Sequence, residues 1–391
     1  MKSVALICGS LEPGCDGVGD YSRELAAEVI RQGRDACVIS LADRDAAEVV
    51  EGVQDAGGVT VGTLRIPASA QWSRRIALAR EFMDRKGVSG VSFQFVPYSF
   101  SPKGVIRTAF PFLLSLAEGR KTHVMFHELW IGNYLNAPWK DRLVGALQRH
   151  YLLRFVRRVA PVVVHTSNSA YAAFLTYHGI PVGVVPLFGN IAVQPDAGVE
   201  HVLALVREKG VDLSVQGRGA HWVGGIFGAI HPQWTPEPFL SELASIAARE
   251  GKSVVIAGLG RFGAKGDGIW AEMVRTYGDR VRFALLGALP TGTVSQVLRF
   301  LDFGISTSPW LLFGKSSTGA SMTDHGLPVI VTRDDWQPRP AVKAECRYPS
   351  SVRRYGRGAL DDFAAFLAGR GEPACSRAEV GRRFIGAFAE S

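Results

Sequence analysis

The sequence predicts two doubly wound α/β domains in tandem. Three observations carry this prediction: apolar runs of strand length alternate with helix-period segments, the alternation breaks once and restarts, and the chain is long. At 391 residues it exceeds the roughly 250–300 residues at which single cores divide. Hydrophobic residues make up 47% and charged residues 20%, with 44 Gly and 20 Pro for turns, a folded rather than a disordered composition.

In the first half, "VALICGS" (4–10) is a continuous apolar run ending in glycine, as a parallel strand buried on both faces requires. Segment 21–33 places Leu25, Val29 and Ile30 at helical spacing before a glycine stop. Strands are predicted at 36–42, 88–96, 122–128, 161–167 and 182–187. The less regular stretch 190–222 marks the boundary. The pattern resumes with strands at 224–230, 253–260, 280–287, 302–308 and 327–332, separated by helices such as 238–251. At the end, Val380, Phe384 and Phe388 recur at i, i+4, i+8, which predicts a closing helix over 377–391.

Five cysteines without a C-x-x-C pair argue against a disulfide framework or a zinc ribbon and fit a reducing cytosol. No apolar run approaches the ~18 residues of a membrane span, and "MKSVALICGS" runs into a glycine loop without a cleavage site, as a first strand would. A net charge of +8 suits an anionic partner such as a nucleotide or an anionic lipid surface. Nucleic acid is not expected, since zinc-finger spacing, ribonucleoprotein aromatics and a basic tail are all missing.

Four stretches carry candidate chemistry. In "LEPGCDGVGDYSRE" (11–24), Gly14, Gly17 and Gly19 would let the backbone approach an anion at a helix start, or merely turn the chain. The spacing is not that of a dinucleotide fingerprint, although Asp43 at the end of the second strand would suit a ribose. In "HVMFHELWIGNY" (123–134), His127 and Glu128 end a strand at the ligand edge. Ile131 stands where a zinc-protease helix needs histidine. "IAGLGRFGAKGDG" (256–268) offers Arg261 and Lys265 beside a glycine loop. In "FGKSSTGASMTDHG" (313–326), the amides of Ser317, Thr318 and Gly319 open a helix that can take phosphate, with Ser316 adding a hydroxyl and Lys315 a full charge. No metal is assigned to the carboxylates of "DRD" (43–45). Segment 140–159 sets Val144, Tyr151, Leu152, Phe155, Val156 and Val159 on one helical arc and Lys140, Arg142, Arg149, His150, Arg154, Arg157 and Arg158 on another. Such a helix either packs on a core or contacts an anionic membrane peripherally.

The order of these motifs resembles GT-B glycosyltransferases, family 4 in particular. It rests on the "GVGDYS" loop, the strand-end histidine, "VVVHTSNSAYAAFLTYHGIPVGVVPLFGN", "GIFGAI", "VVIAGLG", "VRFALLG" and "DFGISTSP" followed by "GASMTDHGLPVIV". The resemblance implies two Rossmann-like domains facing each other across a cleft: residues 1–195 for the acceptor, a linker at 196–222, residues 223–372 for the nucleotide-sugar, and a helix at 373–391 returning to the first domain. By position it would set Gly258, Gly260 and Gly287 near the nucleotide, Lys315 to Thr318 near the diphosphate, Gly17 and Gly19 near donor or acceptor, and His127 near the sugar. Two departures stand out. The family's glutamate pair is missing, with Ser321 or Asp324 at the second place, and "HPQWTPEPF" replaces the usual Arg and Lys, offering only His231. In an inverting reaction Glu128 or Asp20 would be the base.

The function expected is metal-independent transfer of a sugar from a nucleotide-diphosphate-sugar to a glycan or lipid-linked acceptor, with the nucleotide-sugar as substrate and no cofactor. The expected setting is cytoplasmic, with peripheral contact at the inner face of the membrane as an option. A nucleotide-sugar epimerase of the same fold and a catalytically degenerate binding domain remain alternatives.

Overall fold

The computed structural model describes residues 3–388 except Ala197 and Val215. The chain forms two compact units, one of residues 1–187, 337–346 and 377–391 and the other of 188–336 and 347–376.

The first unit is built on β1 (Ser3–Cys8), β2 (Asp35–Asp43), β3 (Val50–Ala56), β4 (Val59–Pro67), β5 (Gly90–Phe95), β6 (Lys121–Phe126), β7 (Val163–Thr166) and β8 (Gly183–Val184). Their order is β3-β4-β2-β1-β5-β6-β7-β8, and β3 with β4 is the antiparallel pair. All six residues of β1 and of β5 are buried, as continuous apolar runs covered by helices on both faces should be. No strand is expected from the sequence over 44–67. The hairpin there turns at Gly57-Gly58, both in the left-handed region (φ +60° and +79°), which is the signature of a two-residue loop.

Helix Arg377–Gly386 packs on helix Gly17–Arg31: Arg377 pairs with Glu24 at 2.5 Å and Gln32 Nε2 donates to the Ala378 carbonyl at 2.9 Å. The rings of Phe384 and Phe388 lie 5.3 and 5.8 Å from His123. Residues 389–391 of the expected closing helix lie outside the described residues. The return of 337–346 to this unit is held through backbone, with Leu135 N donating to Gln337 O at 2.9 Å and Arg339 N to Asn133 O at 2.8 Å. Backbone pairing of this kind has no side-chain pattern from which it could be read.

The second unit is a parallel sheet of β9 (His221–Phe227), β10 (Ser253–Leu259), β11 (Val281–Gly287), β12 (Phe303–Pro309), β13 (Val329–Arg333) and β14 (Val352–Arg354). The order β11-β10-β9-β12-β13-β14 is the dinucleotide-binding arrangement, whose ligand crevice opens where the order reverses, between β9 and β12. Segment 196–222, expected as a linker, belongs to this unit. Helix Glu200–Glu208 within it buries Val202, Leu203 and Val206 beside Val255 and Val297, because an apolar stripe of that spacing has to be covered.

Candidate functional site

In the second unit the strand ends at the reversal point are shaped by glycine. Gly228, Gly260 and Gly287 follow or close β9, β10 and β11 with φ of +82°, +89° and +71°, where side chains are strained. The amide of Gly228 donates to Leu259 O at 2.9 Å, and that of Gly260 to Gly287 O at 2.7 Å. A Cβ on Gly228 would stand 2.7 Å from Cγ2 of Thr318, so this glycine lets the end of β9 lie against the loop that follows β12.

That loop carries Trp310–Lys315 and then helix Ser317–Asp324. Leu312 and Phe313 are buried, and Tyr348 pins the turn by accepting from Gly314 N at 3.1 Å and donating to Trp310 O at 3.2 Å. Ser316 caps the helix, its Oγ accepting from Gly319 N at 3.0 Å and lying 3.1 Å from Thr318 Oγ1. Lys315 is half-buried beside the cap, and Arg261 is exposed after Gly260.

His231 follows β9, its amide donating to Thr307 Oγ1 at 3.0 Å. Its Nδ1 accepts from Arg333 Nη1 at 2.6 Å and Gln233 N at 3.2 Å, which puts its proton on Nε2. Burial, then Arg333 and Lys315, bring its pKa down to about 4. The residue expected to offer a cation is therefore a neutral donor. Arg333, absent from the sequence reading, is the buried cation, held by Asp335 at 2.5 Å and Gln233 at 2.7 Å.

Three expected donor residues lie elsewhere. Gly258 is inside β10, where a Cβ would meet the rings of Phe262 and Trp270 at 2.6 and 2.9 Å. Ser321 is fully buried, with its hydroxyl on Asn190 and the Ser317 carbonyl. Asp324 accepts from Gly189 N at 2.8 Å. Ser321 and Asp324 therefore hold the 189–190 segment against the helix.

In the first unit a cavity of about 320 Å³ opens at the carboxyl ends of β1, β2 and β5, lined by Gly9, Ser10, Asp16, Arg44, Asp45 and Tyr98 among others. Asp16 caps helix Gly17–Arg31, accepting from Val18 N at 3.0 Å and Gly19 N at 2.7 Å, so the amides expected to meet an anion are already satisfied. Burial raises the Asp16 pKa above the usual carboxylate value. A Cβ on Gly19 would fall 2.4 Å from Ser10 O, which makes it a packing position, whereas Gly17 meets open space. Asp20 accepts from Arg23 at 2.5 Å and from Gly14 N at 3.1 Å, and so ties the loop to the helix. Asp43 is fully buried, with six donor contacts, among them both Arg65 nitrogens at 2.9 and 3.2 Å. It has no oxygen to spare for a ribose.

His127 follows β6 directly and is buried, with Nε2 2.8 Å from Gln94 Oε1 and the Tyr21 ring edge-on at 5.0 Å. Burial pushes its pKa down to about 3, so the imidazole is neutral. Glu128 is half-buried beside it. Among the described residues no group of three or more His, Cys, Asp or Glu is placed to hold a metal, and no helix is long and apolar enough to cross a membrane.

No protein-family model matches the chain, and no curated protein matches it in sequence. Solved structures do match in fold. The catalytic domain of starch synthase IV from Arabidopsis thaliana, bound to ADP and acarbose, aligns over 100% of this chain and 99% of its own at a TM-score of 0.59 and 13% identity. HepE from Anabaena, in complex with UDP and glucose, aligns over 100% of both chains at 0.56 and 13%. A Listeria monocytogenes protein assigned as a UDP-N-acetylglucosamine 2-epimerase aligns over 100% of this chain and 97% of its own at 0.53 and 12%. At such identities the likeness is one of architecture, and that architecture is the GT-B fold.

Proposed function

We propose that this chain is a family 4-like glycosyltransferase that moves a sugar from a nucleotide-diphosphate-sugar to a glycan or lipid-linked acceptor without a metal. The observation that carries the reading is the convergence at the β9/β12 reversal of three strand-end glycines, a Ser/Thr-capped helix start and Lys315. Departure of the nucleoside diphosphate concentrates negative charge on its terminal phosphate. Catalysis then requires fixed donors where that charge grows. Lys315, the helix amides, the Ser317 and Thr318 hydroxyls and the Nε2–H of His231 are the donors assigned to it. The family's glutamate pair has no counterpart here, so ribose recognition falls to the glycine-lined strand ends.

The first unit is assigned the acceptor. Its cavity mixes Asp16 and Asp45 with Arg44, a lining suited to hydroxyl groups rather than to phosphate alone. In an inverting reaction Glu128 is the proposed base, because Asp20 is committed to Arg23. The likeness to an assigned epimerase keeps epimerisation as the second reading.

The test is a melting-temperature screen against UDP, GDP, CDP, dTDP and ADP, with and without EDTA. One nucleotide is expected to raise the melting temperature, unaffected by EDTA, as a ligand of the native state does. Turnover of the matching nucleotide-sugar should then require an acceptor. Sugar interconversion without an acceptor would transfer the protein to the epimerases, and no nucleotide binding at all would favour a degenerate domain.

Helix Trp139–Val159 supports a membrane-surface setting for the acceptor. Leu152, Phe155 and Val156 of the expected apolar arc are buried in the unit, so that arc is core. A different stripe faces outward: Trp139, Leu143 and Leu147 are 66%, 59% and 55% exposed at i, i+4, i+8, with Lys140, His150, Arg154, Arg157 and Arg158 exposed on the same helix. Apolar anchors with flanking cations fit an anionic lipid surface. The protein is expected to sediment with phosphatidylglycerol vesicles and not with phosphatidylcholine ones. The triple variant Trp139→Ser, Leu143→Ser, Leu147→Ser should lose at least tenfold in that affinity, since each buried side chain contributes roughly 1.5–3 kcal/mol. Undiminished binding would take this face out of the membrane reading.

A further inference from the structure

Behind His127 a chain of buried polar side chains crosses the first sheet. His127 Nε2 lies 2.8 Å from Gln94 Oε1, and Gln94 Nε2 donates to Ser92 Oγ at 2.7 Å. Ser92 Oγ is 2.7 Å from His123 Nδ1, and His123 Nε2 is 3.0 Å from His165 Nδ1. The parallel register builds the chain, pairing Ser92 with His123 across β5 and β6, while β7 brings His165 alongside. Ser92 and Gln94 are fully buried and His123 nearly so. At the far end His165 lines a cavity of about 550 Å³ with Arg382 and Arg383.

The protons of such a chain are not independent. Gln94 turns its carbonyl to His127, so His127 Nε2 must carry a hydrogen and donate it. Gln94 gives its own amide hydrogen to Ser92. Ser92 has one hydrogen, and His123 Nδ1 is the neighbour that can accept it; otherwise a buried hydroxyl hydrogen would have no partner, which is costly. His123 therefore bears its proton on Nε2 and donates to His165 Nδ1. Burial holds His123 and His127 in the neutral form, with one proton each. The order runs one way from end to end, and turning over the Gln94 amide would reverse every step.

We propose that Gln94, Ser92, His123 and His165 lock His127 in its Nε2–H form, so that Nδ1 meets the substrate as a hydrogen-bond acceptor. Nδ1 has no hydrogen-bond partner among the described residues. The group it recognises is then a hydroxyl that donates, such as one on a sugar ring, and not an anionic oxygen. Gln94 and Ser92 act through His127 as positioning residues. The role of His127 at the substrate rests on the glycosyl-transfer reading, whereas the proton order does not.

The experiment separates the two. Protein labelled with 15N-histidine is observed by long-range proton–nitrogen correlation, which identifies the ring nitrogen that bears hydrogen, with His127→Gln used to assign the signal. Wild type at pH 7 is expected to show His123, His127 and His165 all as Nε2–H. Ser92→Ala does not touch His127, yet it should turn the His127 signal into a mixture of tautomers. It should also lower kcat about tenfold with KM little changed, the effect of one misdirected hydrogen bond. Ser92→Thr, which keeps the hydroxyl, should restore both. A wild-type His127 protonated on Nδ1 overturns the proposal whatever the turnover, and this arm stands even if Ser92→Ala fails to fold. A His127 signal unmoved in folded Ser92→Ala also overturns it. The expected tautomers in a protein without transfer activity would uphold the chain and remove the glycosyltransferase reading instead.

Discussion

Asp43→Ala is expected to lower the unfolding free energy by about 3–5 kcal/mol, the cost of removing one partner of a buried ion pair. The carboxylate is fully buried and the facing Arg65 side chain is 15% exposed. Truncation would remove the acceptor shared by the Ser40 hydroxyl and the amides of Leu11 and Asp45, leave Ser10 with Asp45 alone, and leave the Arg65 guanidinium paired only with the partly exposed Glu12 at 2.6 Å. The same residues shape the cavity rim through Ser10 and Asp45, so stability and ligand binding at this cavity should fall together. A second signature is the pH dependence. Burial alone would raise the Asp43 pKa, but the bonds from Arg65, Ser40 and Asp45 N outweigh it and hold it at about 2. The folded value lies below the unfolded value of about 3.9, so this stabilisation is complete above the unfolded pKa and is lost as pH falls toward 2. It amounts to roughly 2–3 kcal/mol. Urea unfolding at pH 7 and at pH 3 should show wild type losing about 1 kcal/mol of its margin over Asp43→Ala, roughly half of this contribution. A variant within about 1 kcal/mol of wild type at pH 7 would refute the account.

What the sequence made legible, and what it did not, divides along physical lines. Strands β1, β5, β9 and β10 announce themselves because a strand covered on both faces has to be apolar throughout. The phosphate-suited loop is visible because Ser316, Ser317, Thr318 and Lys315 are neighbours in the chain. The hairpin of β3 and β4 was readable from Gly57-Gly58, but its exposed, polar face hides the alternation. Other features exist only through strand order. His231 meets Arg333, about a hundred positions away, because both stand at strand ends of one parallel sheet, and burial together with that contact turns an expected cation into a neutral donor. Gly228 is a rim glycine because Thr318 arrives beside it. The Ser92–His123–His165 chain depends on the register of three strands, which a single-residue slip would destroy. Local chemistry could be read directly; pairings over long sequence distance required the fold.

Lys315→Ala is expected to weaken nucleoside diphosphate binding ten- to a hundredfold. A charge-assisted hydrogen bond contributes about 1.5–3 kcal/mol, against about 0.3–1 kcal/mol for a helix terminus near the surface. In the proposed site the cation adds its full charge to the amides of Ser317 and Thr318, whose bonds to an anionic oxygen are charge-assisted as well. Arg261→Ala is the control: its side chain is exposed after Gly260, where solvent screening leaves a charge worth little, and it should change affinity less than threefold. A ligand-free readout checks the placement independently. Lys315 helps hold the His231 pKa at about 4, after burial and Arg333, so its removal should raise that pKa, as followed by the imidazole resonances during titration. A raised His231 pKa with unchanged nucleotide affinity would place Lys315 beside the imidazole but remove it from the donor site. Equal losses in Lys315→Ala and Arg261→Ala would mean that net charge, rather than the geometry at this helix start, draws the nucleotide in.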